Sequence, residues 1–64
     1  MTKREQKLRR YCGSVYCAIV YIEAMKELLN DKNKISAEFL IEDLEEVRQM
    51  LIKEIEDENR NKNK

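Results

Sequence analysis

The chain has 64 residues, 41% of them Asp, Glu, Lys or Arg, with 13 bases balanced by 13 acids and no histidine or proline. A chain this short holds one domain at most, and a lone chain of this size is marginal unless a disulfide, a metal or self-association supports it. The lack of histidine removes ordinary acid–base and Ser–His chemistry, there is no glycine-rich phosphate loop, and Glu42, Glu45 and Glu46 lack the histidines of a di-iron bundle; the expectation is a non-enzyme with no metal or cofactor.

The neutral total conceals segregated charge. Residues 1–10 carry Lys3, Arg4, Lys7, Arg9 and Arg10 against Glu5 alone, whereas residues 31–58 set ten acids against Lys32, Lys34, Arg48 and Lys53. Basic and acidic segments of this kind either recruit partners or pair with each other. A basic start before an apolar run has the outline of a secretory leader. The uninterrupted apolar part, Val15–Ile22, is far shorter than the ~20 residues that span a bilayer, and no small-x-small site follows before Glu23. The expected location is therefore the cytoplasm, with no membrane contact and with thiols kept reduced.

The first helix is expected over about residues 3–30. Leu8, Val15, Ile22 and Leu29 recur every seventh residue, with Tyr11, Ala18 and Met25 at the complementary heptad position and Cys12 and Ile19 widening the stripe. Cys12 and Cys17 lie about 140° apart on such a helix. They cannot share a metal or an internal disulfide, so they read as small buried hydrophobes. A second face is the informative one. Gly13, Cys17, Val20 and Ala24 fall nearly opposite Val15 and Ile22, and Tyr21 and Leu28 broaden that side. A helix apolar on two sides needs more cover than one neighbour supplies, so these six residues are the expected oligomer interface.

Residues 30–34, NDKNK, form a polar break, and the turn is placed at 30–35. The second helix is expected at about 36–58, capped by Ser36 and stapled by Ile35 against Leu40. Ala37, Leu40, Leu44, Val47, Leu51 and Ile55 form its apolar stripe, with Ile41 and Ile52 alongside. Residues 59–64 hold no apolar side chain and are expected to be a disordered tail beyond the 1–58 domain. The short connection makes the pair an antiparallel hairpin. The fold class is all-α, a two-helix antiparallel hairpin that dimerises into a four-helix bundle.

Two further surfaces are candidates for function. Glu38, Glu42, Glu45 and Gln49 line one side of the second helix, and Phe39 and Met50 lie off its main stripe. A row of carboxylates on a rigid helix suits a basic cleft on a partner protein. The basic arm offers Lys3, Arg4, Lys7, Arg9 and Arg10 for phosphates and Tyr11 for stacking on a base.

The hairpin-dimer plan is similar to that of the small plasmid-encoded RNA-binding repressor of primer. In character, the phrases MTKREQKLRRYC and YIEAMKELLNDK resemble the short helical proteins of staphylococcal-type phages and mobile elements. That resemblance implies a job of binding and redirecting one protein of the host or of a rival element. The leading expectation is a homodimeric, non-enzymatic regulator or inhibitor acting by stoichiometric protein–protein binding. The alternative is an RNA- or DNA-binding regulator that uses the basic arm of the dimeric bundle.

Overall fold

The structure, a computed structural model, describes residues 2–62. It consists of two helices, α1 (Lys3–Lys26) and α2 (Asp31–Lys62), packed along their length as an antiparallel hairpin of 51 × 14 × 10 Å.

α1 starts at Thr2, an N-cap that the heptad pattern did not reveal. Its backbone is extended, and its hydroxyl accepts a hydrogen bond from the Glu5 backbone N–H at 3.0 Å. Such a cap satisfies one of the orphan donors of the first turn. The helix ends at Lys26 rather than at residue 30, and the chain tightens as Leu28 and Leu29 donate to the carbonyls of Met25 and Lys26. These i→i+3 bonds satisfy C-terminal carbonyls.

α2 starts at Asp31, earlier than the expected Ser36. Asn30 is the cap: its side-chain oxygen accepts from Asn33 N–H at 2.9 Å, and its carbonyl accepts from Lys34 N–H at 2.8 Å. Asn caps at least as well as Ser, and Asp31 in the first turn favours the positive helix end. Lys and Asn cost little inside a helix, so nothing delays the start to Ser36. Ile35 and Leu40 are both exposed, which removes the expected staple. Residues 59–62 continue the helix where a frayed tail was expected; the rest of that tail, 63–64, lies outside the described residues.

The seam differs from both expected stripes in the same way. On α1 the heptad positions of Leu8, Val15 and Ile22 do turn inward, as does Leu29 just past the helix, but their partners are Glu5, Cys12, Ile19 and Lys26 rather than Tyr11 and Met25. On α2 the inward row is Ala37, Ile41, Leu44, Arg48, Leu51, Ile52 and Ile55, while Leu40 and Val47 stay exposed. Each helix is rotated so that one edge of its apolar stripe meets its mate and the other edge does not. Ile19, Ala37 and Ile55 are the apolar residues buried most deeply among those described. The hairpin is one layer thick, and domains ordinarily enclose a core between two.

Ion pairs join the two helices at both ends of the hairpin. Arg4 donates to Glu54 at 2.8 Å and to Glu58 at 2.6 Å, and Thr2 donates to Glu58 at 3.3 Å. At the other end Lys26 lies 3.7 Å from Glu38. Arg4 of the basic start therefore pairs with the acidic C-terminal segment within the hairpin.

Candidate interaction surfaces

At 100° per residue, the two sides of the seam carry different chemistry. On one flank α1 presents Arg9, Gly13 and Tyr16, and α2 presents Arg48, Ile52 and Glu56. Together with Cys12 these line an open groove of about 550 Å³. The Arg48 guanidinium lies 5.3 Å from the Tyr16 ring centre, in cation–π range, and its Nη1 donates to Glu45 at 3.1 Å. Its buried Nε has no partner among the described residues.

The same flank continues into Glu38, Glu42, Glu45 and Gln49. Glu45 accepts from both Arg48 and Gln49, the latter at 3.3 Å, and Glu38 faces Lys26, so two of the candidate carboxylates already have internal partners. Glu42 joins Glu38, Ile35 and Phe39 around a small surface concavity. Phe39 and Met50, 62% and 66% exposed, stand away from the seam on α2.

The opposite flank is apolar. Tyr11, Ala18 and Met25 leave α1 on this side, and the antiparallel arrangement brings Leu40 and Val47 of α2 to the same side. Tyr11, Met25, Leu40 and Val47 are all between 42% and 49% exposed, as befits side chains that touch the seam with one edge only. Farther out stand Tyr21 and Leu28, 76% and 86% exposed. The α1 side of this flank, from Tyr11 through Ser14, Ala18, Tyr21 and Met25 to Leu28, has no charged residue. The heptad spacing predicts Tyr11, Ala18, Met25, Leu40 and Val47 in the hairpin core; Ala18 is half-buried at its edge and the other four are exposed. Their heptad spacing was visible, but whether it served this seam or another one was not.

Five of the six expected interface residues, Gly13, Cys17, Val20, Tyr21 and Ala24, share one exposed arc of α1 away from the seam, and the sixth, Leu28, is exposed just past the end of the helix. Gly13, Cys17, Val20 and Ala24 remain exposed on the far side of α1, and a Cβ added at Gly13 would meet nothing within 4 Å. Tyr21 stands where this arc meets the apolar flank. Cys12 is half-buried, Cys17 is exposed, and both are free thiols.

The basic arm is partly consumed. Arg4 is held by Glu54 and Glu58, whose hydrogen bonds, Glu54 first, raise its guanidinium above the ordinary value. Arg9 lies 3.5 Å from Glu5. Lys3, Lys7 and Arg10 stay exposed, and Arg10 sits 5.5 Å from the Tyr11 ring centre.

Compared with protein-family models, with curated proteins and with solved structures, the chain matches none. Among the described residues, no helix is long and apolar enough to cross a membrane.

Proposed function

We propose that the protein is a small non-enzymatic regulator or inhibitor that works by stoichiometric protein–protein binding as part of a helical bundle. One observation supports this reading above the others: among the described residues the single-layer hairpin leaves eleven large apolar side chains exposed, six of them (Tyr11, Tyr21, Met25, Leu28, Leu40 and Val47) along one flank. Scattered surface leucines need no explanation, but apolar side chains gathered along one flank mark an interaction site. The bundle is a homodimer, and its target is a protein of the host or of a competing mobile element, met in the cytoplasm. The acidic flank, with Glu38, Glu42, Glu45 and Gln49 beside Phe39 and Met50, is suited to a basic surface on that target.

The nucleic-acid reading keeps Lys3, Lys7 and Arg10 but loses Arg4 and Arg9 to internal carboxylates. Acids so close to the arm also repel phosphates, so protein binding is the stronger reading.

The test is reconstitution. A tagged chain recovers its target from the cells it acts in, and the two purified proteins are then titrated calorimetrically. A saturating integral stoichiometry that Glu42→Lys weakens supports the reading. Salt-dependent binding of DNA or RNA, abolished by Lys3→Gln, Lys7→Gln and Arg10→Gln, would replace it with the alternative.

A further inference from the structure

We infer that the apolar flank (Tyr11, Ala18, Tyr21 and Met25 on α1, Leu40 and Val47 on α2) is covered by a second copy of this chain. The inference rests on the reading that the protein works through protein contacts, and it specifies which surface is spent on self-pairing.

Three observations select a second copy as the occupant. The first is the pattern of rotation. In a four-helix bundle each helix touches two neighbours, and its a and d residues point between them toward the common centre. Here the a residues of α1, Leu8, Val15 and Ile22, lie in the seam, while the d residues Tyr11 and Met25 sit half-open on one flank. α2 repeats this with Ala37, Leu44 and Leu51 inside and Leu40 and Val47 half-open. Both helices therefore show half of a bundle core, and both halves face the same way. A second hairpin laid on that flank completes the core of both at once.

The second is area. The hairpin exposes 5216 Å². A compact protein of 7.7 kDa exposes about 4,300 Å². The excess, roughly 900 Å², comes from the elongated shape of the hairpin, and it is enough to supply the about 800 Å² that each partner buries in a standard interface.

The third is charge. Between Ser36 and Met50 the α2 side of the flank carries only Asp43, and the α1 side between Tyr11 and Leu28 carries no charge. A charged partner would find nothing there to pair with, whereas a two-fold copy brings the same uncharged surface. Tyr and Met are enriched at the centres of such interfaces and charges are depleted. A two-fold contact also needs a self-complementary patch, and this one is built from the same heptad layers on both helices. The acidic flank is left facing outward in both copies.

The experiment is mass in solution by sedimentation, on the full chain and on two paired variants. Wild type is expected at twice the 7.7 kDa chain mass. Tyr21→Glu with Met25→Glu is expected to fall to the monomer mass, and Cys17→Glu with Ala24→Glu, on the far side of α1, is expected to remain dimeric. Should the first variant fail to fold, crosslinking answers the same question: with Cys12→Ala and Cys17→Ser in place, Met25→Cys links two copies and Ala24→Cys does not. A folded monomeric wild type overturns the inference, as does crosslinking through Ala24→Cys alone. A monomer that still binds its target sinks the self-pairing, and the homodimeric bundle with it, and leaves only the stoichiometric protein binding standing.

Discussion

Glu5 is the most deeply buried side chain among those described, 2% exposed, and Arg9, one turn later, reaches only one of its oxygens, Oε2, at 3.5 Å. The other oxygen, Oε1, has no partner among the described residues. Glu5 also occupies the first turn of α1, where a negative charge is favoured by about 0.3–1 kcal/mol. An unpaired buried acceptor costs about 1–3 kcal/mol, which is the larger effect. Glu5→Met should therefore stabilise the fold by about 1 kcal/mol in chemical denaturation, in line with the gain seen when buried charges give way to packed apolar groups. A loss of stability would show that the carboxylate is compensated after all.

Asn30, not Ser36, caps α2. Asn30→Ala is expected to cost about 1 kcal/mol, the usual loss on removing a cap. Ser36→Ala, inside the helix, should be neutral or slightly stabilising because Ala has the higher helix propensity. Urea midpoints of the two variants decide this; the reverse order would return the start of α2 to Ser36.

The Arg4 bridge to Glu54 and Glu58 aligns the ends of the hairpin but is exposed to solvent. Arg4→Gln should lower the melting temperature slightly at low salt, and the difference should vanish near 1 M salt, where screening acts over about 3 Å. A large, salt-independent loss would mean that the pair is shielded in the assembled protein.

Core substitutions separate the hairpin seam from the flank. Ile19→Ala should cost about 3 kcal/mol in any assembly, since Ile19 is buried within the hairpin itself. Val47 is 42% exposed in the single chain, where truncation to Ala would be within roughly 0.5 kcal/mol of neutral. If a second copy covers it, Val47→Ala should cost about 2 kcal/mol. Equilibrium denaturation of the two variants side by side gives the answer.

The helix type, the antiparallel arrangement and the apolar residues at a and d were all legible in the sequence, because period and polarity report directly on which residues avoid water. The rotation of each helix was not. Leu40 and Ile41 are both apolar, as are Tyr11 and Cys12, so the stripe is wide enough to serve two seams and does not say which edge meets the hairpin partner. The caps were missed for a different reason. Asn30, Asp31, Asn33 and Ser36 are all competent near the turn, and closeness to the apolar stripe favours Ser36, whereas the helix starts at the earliest competent cap. The groove contact of Arg48 with Tyr16 joins residues distant in sequence and follows only from the register of the two helices.

The most direct measurement is the melting temperature followed by circular dichroism over a hundredfold range of chain concentration. A hairpin that completes its core by pairing unfolds with dissociation, so its melting temperature should climb steadily with concentration. A cooperative transition at one fixed temperature throughout that range would mean that a single chain is stable by itself and would contradict the account.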